Sequence, residues 1–158
     1  MKVRKGFVSN SSSSSFIIIG HGEMESGLDR FVEYDTLVLG DQGHTKFGWE
    51  YTEYRDMWSR INFAYLQTQS GNNVEWLEML ETAIKDSFGC SAIVWLLTDE
   101  YDMDNKESPY GHKMVYGYID HASAAYEGEN IEMFDDIDTL KRFLFCDDSH
   151  IQGDNDNR

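Results

Sequence analysis

The stretch VEWLEMLETAIKDSFGCSAIVWLLT, from Val74 to Thr98, decides how the chain folds. Val74, Leu77, Leu80, Ile84 and Phe88 recur at three- and four-residue steps, which places them along one helix face. Asn72 stands where it can cap the first turn, and Glu75, three residues on, completes a capping box. Gly89 stops the helix. Ser91 to Leu97 is short, apolar and partly β-branched, as a buried strand should be. A helix feeding directly into a buried strand defines a core.

Upstream, Arg55 to Gln67 reads as a second helix whose apolar face is Met57 or Trp58, Ile61, Ala64 and Tyr65. The polar loop Thr68 to Asn73 joins the two, so they should pack antiparallel on one face of a sheet. Asp35 to Leu39 reads as a strand closed by Gly40, Asp41 to Gly43 as a turn, and Phe47 to Tyr54 as an exposed or edge strand. Glu23 to Val32 is expected to hold a short helix, broken or capped near Gly27. Lys2 to Val8 and Phe16 to Ile19 are expected as strands on either side of a serine-rich loop at residues 9–15.

Downstream, Thr98 to His112 reads as a polar surface loop containing the only proline. Met114 to Ile119 alternates as a strand, and Ile131 to Phe134 is expected as another. Asp136 or Asp138 caps a last helix that runs to about Phe145, with Ile137, Leu140, Phe143 and Leu144 inward. Ser149 to Gln152 is expected to return as an edge strand, before a polar tail at 153–158 that frays. The architecture predicted is one α+β domain over residues 1–158, with a mixed or antiparallel sheet and two or three helices packed mainly on one face. An αβα sandwich is the alternative.

The chain has 158 residues and enough aromatic mass (four Trp, nine Tyr, nine Phe) to fold despite a net charge of −16. That charge is uneven: residues 1–88 carry 8 basic and 13 acidic side chains, residues 89–158 carry 5 and 16. A surface of this sign repels phosphate backbones and steers basic partners, so direct nucleic-acid binding is not expected. Cys90 and Cys146 make neither a disulfide framework nor a zinc spacing and read as buried thiols. Phe16 to Ile19 is too short for a signal-peptide core or a membrane span, so a cytoplasmic protein is expected.

The opening RKGFVSNSSSSSFII resembles the start of a group of small uncharacterised proteins from bacteriophages and bacteria. The resemblance extends through FGWEYTEYRD, NFAYLQ, YGYIDHAS, LKRFLF and SHIQGDNDN, most of the chain. It implies a shared fold and a phage origin, with a host-cell cytoplasmic location, and it implies no catalytic residue.

Four constellations could carry chemistry. Asp120, His121 and His150, with Asp154 and Asp156, offer imidazole and carboxylate ligands for a metal, although adjacent strand residues point to opposite faces unless a turn intervenes. DNDN lacks the ordered calcium-loop pattern and its final Glu. His21, between two glycines, could join a serine from Ser11 to Ser15 and a carboxylate in a triad, but there is no G-x-S-x-G elbow. The same serines, near Lys2, Arg4 and Lys5, could hold an anion, although no phosphate-loop motif is present. Finally, Trp49, Tyr51, Tyr54 and Trp58 cluster beside Glu50, Glu53 and Asp56. Any left exposed would anchor a basic protein surface; the plainer account is a packed aromatic core with a solvated rim.

The reading favoured by these patterns is a small acidic protein-binding module, such as a phage-encoded inhibitor of a basic or nucleic-acid-binding host protein. Its contacts would be Trp49, Tyr51 and Trp58 with the carboxylates Asp99, Glu100, Asp102, Asp104 and Glu107; a second acidic run, Glu127 to Asp138, offers the same chemistry. A metal-assisted hydrolase using Asp120, His121 and His150 is the enzymatic alternative. A structural or assembly protein is the third. No cofactor is expected, and the oligomeric state is left open.

Overall fold

A computed structural model describes residues 13–48, 52–98 and 114–155. In chain order its strands are β1 (Ser13–Ile18), β2 (Thr36–Leu39), β3 (Lys46–Phe47), β4 (Glu53–Tyr54), β5 (Ala92–Trp95), β6 (Leu97–Thr98), β7 (Val115–Tyr116), β8 (Tyr118–Ile119) and β9 (His150–Asn155). Its helices are α1 (Met57–Ser70), α2 (Val74–Phe88) and α3 (Ile137–Phe145). Together they make one α+β domain with mixed strand pairing and three helices packed against it.

The helix expected from the apolar period is present as α2. Leu80, Ala83, Ile84 and Phe88 are buried along it, whereas Val74 at its first turn is exposed. Its cap is Asn73 rather than Asn72, and the Asn73 side chain accepts the Trp76 N–H at 3.1 Å. Asn72 instead adopts a left-handed φ of 48°. Gly89, at φ 74°, closes the other end. Helix α3 starts at its Asp136 cap, as the sequence indicates, and buries Leu140, Phe143, Leu144 and Phe145.

The most enclosed helix is α1, buried nearly all round despite a polar composition. Its Asp56 cap accepts the Ser59 N–H, and Ser59, Arg60, Asn62, Gln67 and Thr68 are buried beside Ile61, Phe63, Ala64 and Leu66. Each of the larger polar side chains meets backbone from a loop. Asn62 donates to the carbonyls of Gln42 and His44, and Gln67 donates to Ser123 O and accepts from Ala125 N–H. Thus α1 is the post around which the loops are tied.

One sheet is antiparallel, in the order β1-β9-β4. Residues 13–15 of the serine run are therefore strand, not loop, paired with Gly153 to Asn155. The C-terminal strand is the centre of this sheet, not its edge, because Gln152 lies between Phe16 and Glu53. The other pairings are parallel: β2 with β5, β6 with β7, and β3 with β8. Hydrogen bonds Leu96 N–H to Leu39 O (2.7 Å), Val115 N–H to Leu96 O (2.8 Å) and Tyr118 N–H to Thr45 O (3.0 Å) carry these pairs on into one row. The expected strand 91–97 accordingly bends at Leu96, and the strand 114–119 breaks at Gly117. A Cβ at Gly117 would stand 2.6 Å from Thr45 O and 2.7 Å from Leu97 Cδ1, so the strands close up only on glycine.

Other expectations shift. Residues 23–32 hold only a 3-10 turn, Leu28–Phe31, after left-handed Gly27. Residues 131–134 form a 3-10 turn, Glu132–Phe134, instead of a strand. Phe134 there stacks face to face on Trp76 at 4.6 Å, which fastens this segment over α2. The run 47–54 splits between β3 and β4, which sit in different pairings. The expected strand Lys2 to Val8 lies outside the described residues. No helix among the described residues is long and apolar enough to cross a membrane.

Candidate functional site

Among the partner-binding residues expected from sequence, Trp49, Tyr51, Asp99, Glu100, Asp102, Asp104 and Glu107 lie outside the described residues. Trp58 is half-buried and packs on the core: its ring stands edge-on to Phe31 at 5.0 Å and tilted to Phe88 at 5.9 Å.

Asp120, His121 and His150 do not come together as one ligand set among the described residues. The turn needed for Asp120 and His121 to share an ion does exist, as a 3-10 turn at His121–Ser123. Asp120 is buried and His121 exposed, with 4.0 Å between its Nε2 and Asp120 Oδ1. His150 is buried in β9, with Nδ1 3.2 Å from Asp148 O. Of the proposed triad, His21 and Ser15 share no hydrogen bond, and Ser11 and Ser12 lie outside the described residues. His21 faces Arg142, whose Nη1 lies 2.9 Å from His21 Nδ1. Ser15 is buried and donates its backbone N–H to Ser123 Oγ.

The structure brings together a different set, at the turn leaving α3. Cys146, Asp147 and Asp148 place one ligand atom each within 4.8 Å of one another, the one such group among the described residues. The Gly20–His21–Gly22 segment lies against this turn. Asp148 Oδ1 accepts the Gly22 N–H (2.9 Å) and the Cys146 S–H (3.0 Å), and Oδ2 accepts a long bond from His21 N–H (3.4 Å). A Cβ at Gly20 would fall 1.9 Å from Asp148 Oδ1, so the close approach requires glycine. The thiol and the loop N–H groups lower the Asp148 carboxyl to about 2. Cys146 is pushed the other way, by burial first and then by the same hydrogen bond, so its thiol holds its proton. Behind the turn, buried Arg60 donates to Leu144 O through Nε (3.1 Å) and Nη2 (2.9 Å), and to Ser149 O through Nη1 (3.0 Å). The Leu144 carbonyl at the end of α3 and the Ser149 carbonyl in the turn beyond it are thereby satisfied.

A second feature opens beside β2. A groove of about 460 Å³ is lined by Thr36 and Val38 of β2, Val94 of β5, the aromatic residues Phe31 and Tyr34, and the polar residues Glu33, Asp41 and Gln42. None of these lining residues is basic. Tyr34 is 98% exposed. It precedes Asp35 in a two-residue turn closed by Glu33 N–H to Thr36 O (3.0 Å) and Thr36 N–H to Glu33 O (2.9 Å), with φ of 51° and 59° at the two central positions. Such turns favour Asn and Gly. Their absence here hid the turn from sequence reading, and with it the groove. For the Cys146–Asp148 turn the signal was visible, as CDDS after a helix and GHG after a strand, but nothing in the spacing linked the two.

No family model matches the chain, and comparisons with curated proteins and with solved structures give no match.

Proposed function

We propose that the turn Cys146–Asp148 is a divalent-cation site and that the chain uses it for metal-assisted hydrolysis. The observation that carries this is the convergence of the three potential ligands within 4.8 Å at an accessible turn, where Asp147 and Asp148 are exposed. It moves the enzymatic reading away from Asp120, His121 and His150. A carboxylate has about four lone-pair sites, and three hydrogen bonds reach Asp148, only the long one on Oδ2. Capacity therefore remains there for a hard cation shared with Asp147. A softer ion would also require the Cys146 thiolate, and the raised thiol makes that binding proton-releasing and stronger as pH rises. Arg142 and His21 stand beside the turn. The guanidinium would draw an anionic ester toward the ion, and the imidazole is the nearby group able to move a proton.

Titration of chelator-treated protein with MnCl2, followed by calorimetry, is expected to show one site that Asp147→Asn abolishes. No heat, or unchanged binding by that variant, would overturn the site. Binding without Mn-dependent hydrolysis of p-nitrophenyl phosphate or acetate would overturn the hydrolytic part.

The second reading is the acidic binding module, including the phage-encoded inhibitor of a basic or nucleic-acid-binding host protein acting in the cytoplasm. The residues 99–107 on which it leaned are outside the described part. What favours it is the groove beside β2, aromatic and acidic with no basic lining residue.

A further inference from the structure

We infer that the groove beside β2 receives a lysine or arginine side chain from a basic peptide segment of a partner protein. The inference rests on the binding-module reading and gives it a place. Three independent features of the groove select this occupant.

Charge is the first. Glu33 and Asp41 line the groove without a basic lining residue, on a chain of net charge −16, so an anionic or strongly apolar occupant is disfavoured. An open aromatic ring is the second. The Arg30 guanidinium, held by the Ser26 and Gly27 carbonyls, already sits 4.4 Å from the centre of the Phe31 ring. Tyr34, 98% exposed, is the lining ring left open to an incoming cation.

The third is the edge of β2, which is closed to strand addition. Thr36 returns both backbone groups to Glu33, and Val38 O accepts from Gln42 Nε2 at 3.0 Å. An extended partner therefore finds little backbone to pair with and is held through its side chains. The turn itself points to the same use. It places a bulky Tyr at a left-handed position that favours Asn or Gly, and leaves it exposed beside the groove.

The test is fluorescence anisotropy of a labelled hexa-arginine peptide with the full chain at about 50 mM salt, where exposed charges are only partly screened. The double variant E33Q/D41N removes the lining carboxylates. Tyr34→Gly removes the ring without removing charge, and glycine suits its φ. E75Q/E78Q removes the same charge from exposed positions on α2. The first two are expected to weaken binding at least about threefold, and the third to change it less than the first two do. Equal weakening by the two double variants, together with an inert Tyr34→Gly, would overturn the groove while leaving diffuse attraction to basic partners intact. No binding by the wild-type chain would overturn the groove and the basic-partner reading together.

Discussion

At the scale of single residues, the fold depends on polar groups that hold loops to elements. Arg60 is the largest of these: buried in an interior that also holds Asn62, Gln67 and Asn130, it directs its guanidinium to carbonyls at the end of α3 and in the following turn. Burial lowers its pKa, while Glu25, Asp56, Cys146 and Asp147 pull in the opposite direction. Asp148 does similar work from outside, fixing the Gly20–Gly22 segment to the start of β9. Its carboxyl sits near 2 when folded against 3.8 ordinarily, so the unfolded chain takes up this proton first as pH falls. The contribution is complete above about pH 4 and is lost as pH drops through about 2. Asp148→Asn should therefore lower Tm at neutral pH, and the gap from wild type should close between about pH 4 and 2. Thermal melts across that range check this; a gap that stays constant would show that the carboxylate charge is not what holds the loop.

At the scale of elements, legibility followed the type of force. Helix α2 could be read because its apolar period, cap region and Gly89 all agree. Helix α3 could be read for the same reason. Helix α1 was located, but its enclosure was not, since Arg60, Asn62 and Gln67 look like solvent-facing residues until distant carbonyls arrive to meet them. Strands β1 and β9 were the hardest. Serines facing Gly153, Asp154 and Asn155 carry no apolar alternation, and only their pairing makes them a sheet. The α2 cap tests the distinction between pattern and geometry. Asn73→Ala should cost about 1 kcal/mol, since it removes the acceptor for Trp76 N–H. Asn72→Gly should be neutral or stabilising by a few tenths of a kcal/mol, because its φ is already left-handed. Urea denaturation of both variants separates the two roles, and the reverse ranking would restore Asn72 as the cap.

For the whole molecule, charge is the dominant global property, and it links stability to both proposed sites. Acidic side chains number 29 against 13 basic ones, so complete pairing would still leave a surplus that gives the net charge of −16. Described ion pairs such as Arg55–Glu53 (2.8 Å) and Lys141–Asp86 (3.3 Å) are solvent-exposed and offset little of that repulsion. Self-repulsion of this size acts against the compact state and is weakened by mobile ions. Raising NaCl from about 20 to 200 mM should therefore raise Tm, and choline chloride at equal ionic strength should do the same, because screening ignores cation identity. A divalent cation at matched ionic strength should add a further rise through mass action at the Cys146–Asp148 turn. That extra rise, unlike the screening, should vanish in Asp147→Asn. A flat Tm in both monovalent salts would mean that the carboxylates are spaced widely enough for the fold to tolerate them. A divalent increment that survives Asp147→Asn would place any cation binding elsewhere on the acidic surface.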